Sequence, residues 1–108
     1  MPVLREYEDE QGRSPFGRWF EGLAGQAAAK VATALTRLET GNTSALKGVG
    51  KGVSEVRIDF GPGYRVYVGQ DGAELVILLG GSAKARQQQA IADAQARWAD
   101  YKARKRRG

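Results

Sequence analysis

Six side chains in this sequence are of the types that could act together on a phosphodiester: Lys47, Lys51, Arg57, Arg65, Tyr67 and Lys84. Cleaving RNA through its own 2′-hydroxyl requires that hydroxyl to lose its proton. It also requires charge relief on the phosphorane and a proton for the leaving oxygen. Arginine clamps phosphate oxygens with two donors, and lysine lowers the electrostatic cost of the transition state. A lysine crowded by other cations gives up its proton more readily, which suits a general base. Tyrosine stacks on a base or assists proton transfer. The chain has no histidine, so any acid–base chemistry falls to Lys, Arg, Tyr, Asp or Glu. With no cysteine either, it can form no disulfide, thiolate metal site or cysteine nucleophile.

Alternation along two strands is what brings these residues together. Val53 to Phe60 places Val56, Ile58 and Phe60 on one side and Glu55, Arg57 and Asp59 on the other. After the turn Gly61-Pro62-Gly63, Tyr64, Val66 and Val68 line one face, and Arg65 and Tyr67 the opposite one. A hairpin that aligns the apolar faces aligns the polar ones too. Arg57, Arg65 and Tyr67 are thus expected on one open sheet face within cross-strand reach. Lys47 and Lys51 would enter from the glycine-spaced loop Gly48-Val49-Gly50-Lys51-Gly52, and Lys84 would leave the end of the next strand, with Arg86 just beyond. A plainer reading of the same pattern pairs Arg57 and Arg65 with Asp59 and Glu55 on a solvated face.

The elements that must hold this face follow from hydrophobic period and punctuation. Val3, Arg5 and Tyr7 alternate with Leu4, Glu6 and Glu8, which predicts a short first strand. Ser14-Pro15 reads as a helix cap followed by proline at the first helical position. A short helix from Pro15 to about Ala24 then buries Phe16, Trp19, Phe20 and Leu23. Gly25 stops it, and a second helix from about Gln26 to Glu39 repeats Val31, Leu35 and Leu38 on one face. The two form a helical hairpin. Three strands follow, the last being the apolar run from Glu74 to Leu79, broken by Gly80-Gly81. A final helix from about Ala85 to Tyr101 carries the stripe Ile91, Ala94, Trp98 and Tyr101. The expected fold is α+β: an N-terminal strand, a two-helix hairpin, a three-stranded antiparallel meander and a C-terminal helix, with the helices against one face.

Length and charge bound the rest. One hundred and eight residues make one domain, taken as residues 1–101, followed by a basic tail at 102–108. That tail holds Lys102, Arg104, Lys105, Arg106 and Arg107 and accounts for the whole net charge of +5. Such a tail commonly contacts nucleic acid, and Lys102 and Arg104 join Lys47, Lys51 and Arg86 as candidate RNA contacts. The longest apolar run, Leu75 to Leu79, cannot cross a membrane, and nothing at the N-terminus reads as a signal peptide. A cytoplasmic setting is expected. Other features carry less. Gly61-Pro62-Gly63 lacks the strand–glycine–helix context of a phosphate loop. Phe16, Trp19 and Phe20 share a helical face and read as core. Glu6, Glu8, Asp9 and Glu10 read as an acidic edge that discourages strand addition. The stripe on the last helix is packing or a partner-covered groove.

The segment Lys47-Gly48-Val49-Gly50-Lys51-Gly52-Val53-Ser54-Glu55-Val56-Arg57-Ile58, followed by Phe60-Gly61-Pro62-Gly63-Tyr64-Arg65-Val66-Tyr67, resembles the phage-derived addiction-module killer proteins. These form the HigB-like branch of the RelE/ParE toxin superfamily. Leu78-Leu79-Gly80-Gly81, then Lys84, Gln87, Ile91, Ala94 and Trp98, continues the likeness, as do Pro15-Phe16, Trp19 and Leu23. The resemblance implies a RelE-like fold and the toxic half of a type II toxin–antitoxin module. It implies a ribosome-dependent endoribonuclease acting without metal or other cofactor, with the ribosome, mRNA and a small helix-turn-helix antitoxin as partners. By position, Arg65 looks like the phosphate-binding arginine of the Gly-Tyr-Arg segment, Arg57 like a basic residue of the preceding strand and Lys84 like the one after the last strand. The alternatives within the superfamily are a ParE-type poison of DNA gyrase and an inactive binding homologue. Glu55 departs from the pattern, standing where the most studied RelE-type enzymes carry a basic residue. No tyrosine or histidine opens the last helix, and the segment Gly80-Gly81-Ser82-Ala83-Lys84 is one residue longer than the branch pattern.

Overall fold

The computed structural model describes residues 2–108 and is an α+β fold. Its elements run β1 (Val3–Glu6), α1 (Pro15–Glu21), α2 (Gly25–Glu39), β2 (Leu46–Gly50), β3 (Val53–Ile58), β4 (Tyr64–Gln70) and β5 (Leu75–Ala83). A 3-10 turn (Lys84–Arg86) then leads into α3 (Gln87–Arg107). The strands form one sheet in the order β1-β5-β4-β3-β2. The meander is antiparallel as expected, but β1 joins β5 in parallel, so the sheet is mixed. The loop expected at 48–52 also proves different. Residues 46–50 add a further edge strand, paired antiparallel with β3 through a bulge between Gly48 and Gly50. Its turn is Gly50-Lys51-Gly52, three successive residues at positive φ. Glycine-rich spacing hid this strand from a reading based on side-chain period.

Helix starts follow local chemistry. The Ser14 hydroxyl accepts a hydrogen bond from the Gly17 amide at 2.9 Å, and Pro15 opens α1, which ends at Glu21. Gly25 does not separate the helices as a loop residue; it is the first residue of α2.

The expectation that all helices share one sheet face is overturned. Val56, Ile58, Val66, Val68, Val76 and Leu78 pack with Phe16, Val31 and Leu38 of α1 and α2. The alternate residues Val53, Tyr67, Ile77 and Leu79 form a second core with Ala94 and Trp98 of α3. Apolar side chains on both faces of β4 and β5 demand two covering layers. The last helix therefore crosses the face that was expected to lie open.

Two tryptophans fix these layers. Trp19 of α1 sits on Gly81 and Trp98 of α3 sits on Gly69, each so close that a Cβ on the glycine would meet the indole ring. This corrects the reading of Gly80-Gly81 as a strand break. β5 runs on to Ala83, and Gly81 is the bare patch of strand that admits Trp19. Removing the buried indole of Trp98 costs about 3–5 kcal/mol, and Trp19, partly buried, costs less.

No boundary appears at Tyr101. The helix continues through Arg107, and the residues read as a basic tail are its last turns. Lys105 pairs with Asp71 at 2.6 Å and Arg104 with Asp100 at 2.7 Å. The Tyr7 hydroxyl donates to Asp100 and the Tyr101 hydroxyl to Asp71. These contacts bind the end of α3 to the β4–β5 turn and to the segment after β1. No helix among the described residues is long and apolar enough to cross a membrane.

Candidate phosphate-binding site

The register of the β3–β4 hairpin sets the site. Arg57 stands directly opposite Arg65, and two pairs along, on the same face, Glu55 stands opposite Tyr67. Two like charges in cross-strand register repel. Glu55, on the same face, offsets that repulsion: its carboxylate lies 3.6 Å from the Arg57 Nε and 3.4 Å from the Arg65 Nε. It is 1 % exposed, and the Gln87 side-chain amide at the start of α3 donates to it at 3.0 Å. A buried carboxylate with two guanidinium neighbours and an amide donor is compensated where a bare one would not be.

Arg65 is the unusual member. It is 7 % exposed, and its buried Nε makes no hydrogen bond. The approach to Glu55 at 3.4 Å is therefore an attraction of charges, not a hydrogen-bonded pair. Arg57 is half-exposed. Lys84 reaches the same place because Ala83 pairs with Tyr64 and the Lys84 amide donates to the Gly63 carbonyl at 2.9 Å. The turn favours glycine here because Gly63 has φ +82°, a backbone conformation strained for other residues. Arg57, Asp59, Arg65 and Lys84 line a cleft of about 540 Å³ closed by Gly61-Pro62-Gly63. No carboxylate among the described residues pairs with Lys84.

Three of the expected residues, Arg57, Arg65 and Lys84, thus converge. The others do not. Tyr67 is fully buried beneath α3, with its hydroxyl 3.1 Å from the Ser82 hydroxyl, and burial pushes its pKa up. It belongs to the second core and cannot stack on a base from there. Lys51 occupies the β2–β3 turn in the left-handed region, at φ 57°. That turn lies at the opposite end of β3 from Arg57, and Val53 to Arg57 alone spans about 13 Å. Lys47 faces Glu55 across the β2–β3 pair and is exposed beside the cluster, outside the cleft. Arg86 borders a separate hollow with Gln89 and Asp93. Lys102 and Arg104 lie 15 and 17 residues along α3 from Gln87, at least 20 Å or so away by helical rise. The Lys102 ammonium lies 5.6 Å from the Trp98 ring, and Arg104 is committed to Asp100 and the Tyr7 ring.

Asp59 and Gln87 are the participants the sequence reading passed over. Asp59 reads from the alternation only as an ion-pair partner, although its parity with Arg57 puts it on the same sheet face. Gln87 enters the sequence reading only through the family likeness, with no role of its own. Among the described residues, no three His, Cys, Asp or Glu side chains are grouped to hold a metal ion.

No family model matches the chain. A protein of Haemophilus influenzae, itself uncharacterized, is 41 % identical over 80 residues, covering 73 % of this chain and 81 % of that protein. The chain belongs to the same family as that protein.

Proposed function

We propose that this protein is a toxin of a type II toxin–antitoxin module, related to the RelE/HigB toxins, and that it cuts mRNA on the ribosome in the cytoplasm. The observation that carries this reading is Arg65, a buried guanidinium without a hydrogen bond at its Nε, facing a cleft it shares with Arg57 and Lys84. Desolvated cations fixed before a ligand arrives are what a transferring phosphoryl group requires. The α+β architecture and the likeness around Gly61-Pro62-Gly63-Tyr64-Arg65 support the same reading.

In this mechanism the 2′-oxygen of the substrate attacks the adjacent phosphorus and the 5′-oxygen of the next nucleotide leaves. A 2′,3′-cyclic phosphate and a 5′-hydroxyl result. Arg65 and Arg57 hold the non-bridging oxygens as charge grows on them. Lys84 supplies a proton to the leaving oxygen. Asp59, the carboxylate at the cleft, accepts the proton of the 2′-hydroxyl. Glu55 touches no substrate; it keeps two opposed arginines side by side. A helix-turn-helix antitoxin is the expected restraint on such a protein.

Primer extension on a reporter mRNA in a reconstituted translation system tests the reading, with wild type beside Arg65→Ala. New 5′ ends inside codons, produced by wild type alone, are expected. Intact message in both lanes overturns the nuclease and makes a gyrase supercoiling assay the next experiment.

A further inference from the structure

Arg57, Ile58 and Asp59 line two clefts at once. One is the phosphate cleft with Arg65 and Lys84; the other continues past the end of β3 to the exposed side of α2, where Lys30, Thr33, Arg37 and Phe60 complete it. Lys30 and Arg37 are seven residues apart, two helical turns, so both project along one stripe of α2 and extend the groove by about 10 Å. Both are exposed, and among the described residues neither is paired with a carboxylate. This contrasts with Arg104 and Lys105 on α3, whose charges are spent on Asp100 and Asp71. The Lys30 ammonium lies 5.8 Å from the centre of the Phe60 ring. The joined grooves thus carry Lys84, Arg65, Arg57, Lys30 and Arg37 with Asp59 as their one acid.

We infer that α2 continues the phosphate cleft as a track for single-stranded RNA, with Lys30 and Arg37 contacting successive backbone phosphates beyond the scissile one and Phe60 offering a ring beside them. The inference rests on the reading of the cleft as a phosphodiester site. A cationic groove with an aromatic face suits a single strand, because every base has a face to stack and every phosphate a charge to offset. An acidic protein segment would satisfy the cations but would leave the adjoining phosphate cleft without a role.

The test is fluorescence anisotropy with 2′-O-methyl RNA of about 12 nucleotides, which lacks the attacking hydroxyl, over roughly 50 to 200 mM salt. Wild type is compared with the double variant Lys30→Ala/Arg37→Ala, whose changes are both at exposed positions. The slope of log affinity against log salt should flatten by about 1.4 in the double variant, two single-strand phosphate contacts' worth. The urea midpoint should not move. An unchanged slope, or no RNA binding by wild type, overturns the track. So does a polyglutamate peptide that binds wild type more tightly than RNA and loses that affinity in the double variant. Intact message in the translation assay would remove the nuclease while leaving a flattened slope unexplained by anything except RNA binding. An unchanged slope beside active cleavage would remove the track alone.

Discussion

Arg57 and Arg65 face each other across the β3–β4 hairpin, and one buried carboxylate, Glu55, lies within 3.6 Å of both. The pairing concentrates positive charge at one end of the sheet without leaving it to repel itself.

Glu55→Ala should therefore be a stability variant before it is an activity variant. It leaves Arg65 buried with no countercharge, at a cost of about 3–5 kcal/mol. Urea denaturation measures this, and a midpoint equal to wild type would show that the carboxylate does not hold the arginines. Gln87→Ala removes one neutral donor and should cost about 1–2 kcal/mol in the same assay.

Asp59→Asn and Lys84→Ala alter exposed residues, so both should fold like wild type. Cleavage by either should fall about 10²- to 10⁴-fold if they move protons. Arg65→Ala should lose about 10²- to 10³-fold through the phosphate, and lysine at that position should not restore it. Quantified primer extension reads all three. Full activity in Asp59→Asn would transfer the proton acceptor to another group.

If the protein is the proposed nuclease, Tyr67→Phe should retain its cleavage. The phenol sits in the second core, where its partner is Ser82, and its removal should cost about 1–2 kcal/mol of stability. Loss of activity at unchanged stability would return Tyr67 to the chemistry.

Acid should loosen the far end of α3. The hydrogen bond from Lys105 holds the Asp71 carboxyl below its ordinary range, and that from Tyr7 does the same for Asp100. Carboxyls depressed in the folded chain add stability that is complete above their unfolded pKa, about 3.9, and is lost as pH falls through the folded value. Urea midpoints taken from about pH 6 to pH 2 should fall, and fall less in Asp71→Asn/Asp100→Asn. On the alkaline side, burial and the bond to Asp71 push Tyr101 up to about 12. Its contribution is complete below the unfolded value near 10 and disappears as pH rises through the folded one.

Gly69→Ala should cost about 1–3 kcal/mol, because the new methyl would displace the Trp98 ring. A urea midpoint unchanged from wild type would mean that α3 shifts freely on the sheet.

The sequence displayed what alternation and punctuation encode. The Ser14-Pro15 helix start, the β3–β4 hairpin and the shared parity of Arg57 and Arg65 were all readable. What escaped it depends on which layer covers each face. Arg65 and Tyr67 look like solvent-facing residues in an alternating strand, yet both are buried, Tyr67 by α3 returning from far along the chain. The strand at 46–50 escaped because Gly48 and Gly50 offer no side-chain period, only backbone hydrogen bonds. The meeting of Lys84 with Gly63, and of Gln87 with Glu55, likewise follows from strand length and register across the sheet.

Trp19 and Trp98 are the chain's two tryptophans, and they sit on opposite sides of the same sheet. Each helical layer thus carries its own optical reporter. In a Trp19→Phe protein the remaining emission follows α3 alone, and in a Trp98→Phe protein it follows the α1–α2 side. Lifting of either layer by a ligand, a partner or denaturant can then be timed separately, without an added label.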